Sequence, residues 1–83
     1  MNRALTARQR EVLALVANGN TNRQISRWLG IDPRTVNRHL AVIYQVLGAH
    51  DRAQAVALAL RHGDLTQADI HEPAHGAAAS PLA

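Results

Sequence analysis

The sequence predicts an all-α fold, in which a four-helix domain is followed by a disordered C-terminal tail. Apolar residues recur at helical spacing in four segments, and a glycine follows each of them. With 83 residues and no cysteine, the chain can build one compact core and must hold it by packing alone. The periodicity ends near residue 66, which predicts a domain of residues 1–65 and an acidic tail of residues 66–83.

The first helix is predicted from about residue 7 to residue 18. Thr6 can cap its N-terminus, and Gln9, three residues later, completes a capping box. Leu5 precedes the cap, where it can pack on the first turn, and Gly19 supplies a left-handed stop. The apolar stripe consists of Val12, Leu13, Leu15, Val16 and Ala17.

The second helix shows the same pattern over residues 22–29. Thr21 and Gln24 form a second capping box, and Gly30 ends the helix. Ile25, Trp28 and Leu29 share one face, which is expected to point to the core, with the Trp28 ring at the edge of the core.

The third helix, residues 33–47, has the strongest start signal. Asp32 can cap it, and Pro33 stands at the first helical position, where a missing N–H leaves no hydrogen bond unmade. Gly48 ends it. Four apolar residues spaced by four, three and four form one stripe that faces the core: Val36, Leu40, Ile43 and Leu47.

The fourth helix, residues 51–62, is rich in alanine and apolar on nearly all sides. Such a helix has more apolar surface than one small core can cover, so the excess predicts a partner. We expect Ala57, Leu60 and Arg61 to belong to the partner-facing surface.

The second and third helices are joined by only three residues, Gly30, Ile31 and Asp32. A connection this short that contains glycine bends the chain sharply, and Ile31 can hold the bend against the core, as in a helix-turn-helix. The turn alone is equally compatible with an ordinary helical hairpin in a bundle. The third helix favours the helix-turn-helix, because its outward face carries side chains suited to reading DNA.

With the apolar stripe on the core, the outward face of the third helix is polar and basic. At about 100° per residue, this face carries Arg34, Arg38, Ala41 and Gln45, with Asn37 and Val42 at its edges. Arginine can bind guanine O6 and N7, asparagine and glutamine can bind adenine N6 and N7, and alanine can contact a thymine methyl. The predicted base-reading residues are Asn37, Arg38, Ala41 and Gln45. Residues near the positive ends of the second and third helices suit phosphate instead, and these are Thr21, Asn22, Arg23, Arg34 and Thr35.

Charge is distributed unevenly along the chain. All nine basic residues are arginines from Arg3 to Arg61, a stretch that contains only three acids. The remaining acids follow this stretch without any Lys or Arg: Asp64, Asp69 and Glu72. A basic domain favours a polyanionic partner, although a solvated surface has the same composition. Arg52, at the start of the fourth helix, fits a structural ion pair with Glu11 at least as well as a DNA contact.

A longer residue pattern runs through all four helices. It reads Leu5-Thr6-x-Arg8-x-x-Glu11-Val12-Leu13-x-Leu15-Val16-Ala17-x-Gly19, then Thr21-Asn22-Arg23-x-Ile25, Leu29-x-Ile31, Thr35-Val36-x-x-His39-Leu40, Leu47-Gly48, Arg52 and Ala55-Val56. Over residues 5 to about 65 this pattern resembles the LuxR-type (GerE-like) helix-turn-helix domain. The resemblance implies a four-helix domain whose third helix reads the major groove and whose fourth helix often mediates dimerisation on a two-fold DNA site.

The chain departs from the family pattern in three respects. Asn37 stands where the family often has lysine, so a base preference cannot be carried over. Gln9 and Gln24 stand where the family often has glutamate. Family members usually carry an upstream receiver or ligand-binding domain, which this chain lacks, so a stand-alone regulator and an excised domain are both compatible with it.

Together these features predict a transcription regulator that binds double-stranded DNA in a sequence-specific way. We expect a homodimer on DNA, with RNA polymerase or another regulator as a further partner. Two alternatives on the same scaffold are a sigma-factor-like promoter module and a protein-binding adaptor. We expect no enzymatic activity, cofactor or metal site, because the chain has no cysteine, no paired-carboxylate arrangement and no phosphate-binding loop. No apolar run approaches the roughly 20 residues of a membrane span, which predicts a cytoplasmic, nucleoid-associated protein without a membrane partner.

Overall fold

The computed structural model describes residues 5–71, which form four α-helices and one short 3-10 helix. In chain order the elements are α1 (Ala7–Ala17), α2 (Asn22–Leu29), α3 (Pro33–Leu47), α4 (Arg52–His62) and the 3-10 helix (Gln67–Asp69). The predicted all-α, four-helix fold is confirmed. Each helix also begins and ends within about one residue of its predicted position, because local capping signals set the helix ends.

Side chains cap the N-terminus of every helix from α1 to α4. In the capping box of α2, Thr21 Oγ1 accepts from the Gln24 N–H at 3.1 Å, and Gln24 Oε1 accepts from the Thr21 N–H at 2.8 Å. The box predicted at the start of α1 is also present. The capping residues are Thr6, Thr21, Asp32 and Asp51. These bonds satisfy amide groups that a helix cannot pair internally.

The turn between α2 and α3 depends on Gly30. Its φ of +67° lies in the left-handed region, which residues with a Cβ rarely adopt. The Ser26 carbonyl accepts from the N–H groups of Gly30 and Ile31, and the second of these bonds measures 3.0 Å. Ile31 is half-buried and packs against the core. The turn therefore sets the direction in which α3 leaves α2.

All four helices contribute to one apolar core. α1 and α3 each contact the other three helices, so α3 lies in the middle of the domain rather than on its rim. The buried residues are Leu5, Val12, Leu13, Val16, Ile25, Val36, Leu40, Ile43, Leu47, Ala55, Ala59 and Leu65. All four residues of the stripe predicted on α3 are among them, which fixes the rotation of α3 about its own axis.

α2 presents a different face to the core from the one predicted. Trp28 is 71% exposed, so the expectation of a ring at the edge of the core is wrong. The face that α2 buries contains Ile25, Ser26 and the half-buried Leu29. At about 100° per residue, Trp28 points more than a quarter-turn away from the centre of that face. Ser26 takes an inward position, where its hydroxyl is satisfied by donating to the Arg23 carbonyl at 2.9 Å.

Defined structure continues past the domain boundary predicted at residue 65. Leu65 is buried, and the 3-10 helix follows it. Asn18 ties this segment to the end of α1: its Nδ2 donates to the Asp69 carbonyl at 2.8 Å, and its Oδ1 accepts from the His71 N–H. Residues 66–71 therefore pack on the domain. The rest of the predicted tail, residues 72–83, lies outside the described residues, and the division into domain and acidic tail stays a prediction.

Candidate nucleic-acid interface

The solvent-facing side of α3 brings together the residues predicted to read bases. All four are exposed, on the side of the helix opposite the buried stripe: Asn37, Arg38, Ala41 and Gln45. Within the described residues, the Arg38 guanidinium makes no hydrogen bond or ion pair, so it is available to a ligand. Because α3 cannot rotate without exposing its apolar stripe, it presents these side chains in a fixed orientation.

The N-terminus of α3 carries two of the residues predicted to contact phosphate. Arg34 has an 88% exposed side chain, and its Nε lies 3.4 Å from Asp32 Oδ1. The same carboxylate oxygen caps the helix by accepting from the Arg34 N–H at 2.7 Å. An ion pair this exposed contributes little to stability, so Arg34 can leave it for a phosphate at small cost. Thr35 is half-buried beside it.

The N-terminus of α2 carries the other three predicted phosphate residues. Thr21 and Arg23 are exposed, and Asn22 is half-buried. The Thr21 hydroxyl oxygen serves as the cap acceptor, which leaves its O–H proton for a phosphate oxygen. The first-turn amide groups of a helix carry partial positive charge, so this end of α2 is suited to an anion.

A chain of hydrogen bonds that the sequence did not reveal joins α4, α2 and α3. Arg52 Nη1 donates to Asn22 Oδ1 at 2.5 Å, and its Nη2 donates to the Asn20 carbonyl at 2.7 Å. Asn22 Nδ2 in turn donates to Asn37 Oδ1 at 2.5 Å. A residue predicted to contact phosphate is thus bonded directly to a residue predicted to read bases.

This arrangement corrects the expected partner of Arg52. Glu11 instead forms an ion pair within α1, where its Oε1 lies 3.3 Å from Arg8 Nη1. Arg52 is the first residue of α4 and Asn22 the first residue of α2. Both are polar residues at helix starts. Nothing in the local pattern, however, pairs them across 30 positions of sequence.

The outward side of α4 carries the residues predicted to meet a partner. Ala57, Leu60 and Arg61 are exposed, and Leu60 is 38% exposed. Ala55 and Ala59, on the opposite side of the helix, are fully buried against the core. α4 therefore has one face committed to the domain and one small apolar face that no described residue covers.

Two further observations concern other kinds of site. Among the helices of residues 5–71, none combines the length and the apolar character needed to cross a membrane. In the same range, no three His, Asp or Glu side chains come together in a group that could hold a metal ion.

Comparison with known families identifies this arrangement of helices. The sequence profile of GerE, described as bacterial regulatory proteins of the luxR family, matches residues 3–59. The chain belongs to this family. The transcription factor GerE has a solved structure that resembles the LuxR-type domain with a TM-score of 0.72 at 35% identity, over 80% of this chain and 97% of GerE. VqmA of Vibrio cholerae, solved as a complex with ligand and DNA, gives a TM-score of 0.68 at 36% identity, over 77% of this chain and 28% of VqmA.

Curated relatives of the LuxR-type domain are regulators of transcription. SgaR of Hyphomicrobium methylovorum, described as a probable transcriptional regulatory protein, is 54% identical over 55 residues, which are 66% of this chain and 26% of SgaR. The transcriptional activator BjaR1 of Bradyrhizobium diazoefficiens is 45% identical over 58 residues, which are 70% of this chain and 24% of BjaR1. The chain thus spans about a quarter of the length of either relative. The domain is a DNA-binding domain of the kind that transcription regulators carry.

Proposed function

We propose that this LuxR-type domain is a non-enzymatic regulator at the bacterial nucleoid that reads double-stranded DNA by placing α3 in the major groove. The observation that carries the proposal is the outward face of α3, which holds Asn37, Arg38, Ala41 and Gln45. An α-helix fits the major groove, whose width is about 12 Å. The side chains on this face supply the donors, acceptors and methyl group that distinguish base pairs there.

Phosphate contacts from two helix N-termini would set the position of α3 in the groove. Arg23 and Arg34 are exposed and supply charge, while Thr21, Asn22 and Thr35 supply neutral hydrogen-bonding groups. Such contacts fix register and orientation without carrying sequence information. The helix ends add partial positive charge in the same direction.

We also propose that two copies of the chain pair through the outward face of α4 when they occupy a two-fold DNA site. Leu60 provides an apolar contact, and the small side chain of Ala57 lets a second α4 approach closely, with Arg61 beside them. A two-fold interface uses the same patch on both copies, so one such face is sufficient. VqmA, a LuxR-type receptor to which this domain is similar, is a dimer, which supports pairing of two copies. The patch is small, so the dimer is expected on DNA rather than in free solution.

Selection from a random duplex DNA library tests this function directly. It should be run at about 150 mM salt, where non-specific phosphate binding is weakened. We expect an enriched site with inverted half-sites about one helical turn apart. A single asymmetric site would favour the sigma-factor-like alternative, and no enrichment at all would favour the protein-binding adaptor.

Arg38→Ala should weaken binding to the selected site by about 1–3 kcal/mol and relax the preference at one base position. Arg38 is the one unpaired guanidinium on the outward face of α3 among the described residues, and arginine discriminates guanine through two hydrogen bonds. Fluorescence anisotropy with each of the four bases at that position measures the change.

The matched control is Arg23→Ala, which removes the same charge from the start of α2. It should weaken binding about equally on every sequence and reduce the slope of log affinity against log salt concentration by about one. If Arg38→Ala also weakened all sequences equally, Arg38 would be a phosphate contact rather than a base reader.

A protein contact on the outward side of α2 is a second proposed role, based on Trp28. This side chain is 71% exposed, beside Arg27 and Gln24, which are exposed too. Large exposed apolar side chains with a polar rim are typical of protein interfaces. We propose that RNA polymerase binds here. Trp28→Ala should leave DNA affinity unchanged and lower transcript yield in a purified transcription assay. Unchanged transcript yield would remove this role.

A further inference from the structure

We propose that Asn37 reads a hydrogen-bond acceptor on a base, and that Arg52 and Asn22 impose this polarity by holding the Asn37 carbonyl oxygen. Asn22 and Arg52 would therefore be positioning residues for base recognition, acting from two other helices. The inference rests on the proposed function of α3 and goes beyond it, because it specifies which kind of base atom one residue recognises.

The direction of the hydrogen bonds follows from the chemistry of arginine. A guanidinium carries donors and no acceptor, so the Asn22 atom bonded to Arg52 must be the side-chain oxygen. The amide nitrogen of Asn22 then faces Asn37, and the Asn37 atom bonded to it must also be an oxygen. This leaves both N–H donors of the Asn37 NH₂ group for a ligand, and only one of the two lone pairs of its oxygen.

The series of hydrogen bonds is anchored at Arg52, and its other end, at Asn37, is open to solvent. Arg52 is half-buried and makes a second bond to the Asn20 carbonyl at 2.7 Å. Asn22 is half-buried as well, whereas Asn37 is exposed on α3. Turning the Asn37 amide over would bring its NH₂ against the NH₂ of Asn22, which replaces a hydrogen bond with two opposed donors. The orientation in which the Asn37 oxygen accepts from Asn22 is therefore also favoured when DNA binds.

An asparagine whose oxygen is held by a neighbour reads bases differently from a free one. A free asparagine binds adenine through both amide atoms, accepting from N6 and donating to N7. Asn22 occupies one of the two lone pairs of the Asn37 carbonyl oxygen and holds the NH₂ group away from itself, so Asn37 favours acceptors in the major groove. Guanine offers two adjacent acceptors, O6 and N7, while cytosine offers only a donor, its N4 amino group. We expect guanine to be preferred and cytosine to be disfavoured at the base that Asn37 contacts.

Asn22→Asp tests the inference by reversing the direction of the hydrogen bond between residue 22 and Asn37. One carboxylate oxygen can still accept from Arg52, so the anchor is kept. The other oxygen replaces the amide nitrogen of Asn22 and can only accept, so the Asn37 amide turns and its NH₂ donates to the carboxylate. The Asn37 carbonyl oxygen then faces the groove and selects a base donor, which is cytosine N4 or adenine N6.

The base position that Asn37 contacts is first found as the one at which Asn37→Ala abolishes the base preference. The readout is then the ratio of affinities for DNA sites that differ only in the base at that position. Since the ratio compares DNA of equal charge, the general weakening caused by the new carboxylate cancels. We expect the guanine-to-cytosine affinity ratio to fall by at least about tenfold in Asn22→Asp, since each hydrogen-bonded base contact discriminates at this scale. Asn22→Ala should reduce the ratio toward one, because nothing then holds the Asn37 amide.

The affinity ratios of the two Asn22 variants either support or overturn the inference. A guanine preference that survives unchanged in both Asn22 variants would overturn the inference, as would a wild-type preference for cytosine or for bidentate adenine binding. If circular dichroism shows that Asn22→Asp is unfolded, the result for Asn22→Ala decides alone. Failure of the wild-type chain to select any DNA site would instead overturn the proposed function, which separates the two failures.

Discussion

Leu60→Glu should weaken binding to a DNA site with two half-sites by about 5–150-fold, while binding to a single half-site stays the same. Contact through α4 makes the binding of two copies to adjacent half-sites cooperative, and coupling free energies of this kind are typically about 1–3 kcal/mol, which is about 5–150-fold in affinity. Two glutamates facing each other across a two-fold axis would repel and would leave charge in an apolar contact. Electrophoretic mobility shift on full and half sites measures both affinities.

The control for this prediction is Ala68→Glu, which adds the same charge at an exposed position in the 3-10 helix, outside α4. It should change binding to the full and half sites by the same small factor. If Leu60→Glu weakened both sites equally, the outward face of α4 would not be a dimer contact. Loss of helical circular dichroism would mean that Leu60 supports the fold.

Ile43→Ala should lower the free energy of unfolding by about 2–5 kcal/mol, which is the usual cost of removing a large side chain from a core. Ile43 is fully buried in the middle of the α3 stripe, and α3 contacts all three other helices. The cavity would therefore lie where the helices meet, and the surrounding side chains are held from several sides. A domain of this size has only about 5–15 kcal/mol of stability in total. Urea unfolding followed by circular dichroism gives the change.

Val42→Ala is the matched control, because Val42 neighbours Ile43 on the same helix and is 40% exposed. Exposed substitutions of this kind usually change stability by less than about 0.5 kcal/mol. A large loss of stability in Val42→Ala, or a negligible loss in Ile43→Ala, would mean that α3 is rotated relative to the orientation described. In that case the outward face would not contain Arg38 and Gln45 as proposed.

The two faces of α3 connect stability to recognition in this domain. The buried stripe holds the helix in one rotation, and under the proposed function that rotation decides which side chains can reach a base. A residue that never contacts DNA, such as Ile43, can therefore lower DNA affinity by reducing the folded fraction. Comparing affinity with the folded fraction of each variant separates this effect from a lost base contact.

The sequence by itself determined the helices, their ends and the core-facing stripe of α3. These features depend on interactions within a few residues: the caps at Thr6, Thr21 and Asp32 bond to amides two or three positions away. The stripe of α3 is similarly visible, because one buried face repeats at the helical period. The exposure of the opposite face follows from the same periodicity, so the candidate base-reading residues were also predictable.

Tertiary structure alone decided the orientation of α2 and the polarity of the interface. α2 packs against α1 and α3 together, and this double contact turns Ser26 inward and Trp28 outward, although Trp28 is the more apolar residue. The chain from Arg52 through Asn22 to Asn37 joins residues separated by 30 and 15 positions. Which atom of an asparagine faces a ligand depends on its hydrogen-bond partner, and a partner this distant in sequence becomes a neighbour only after the helices have packed.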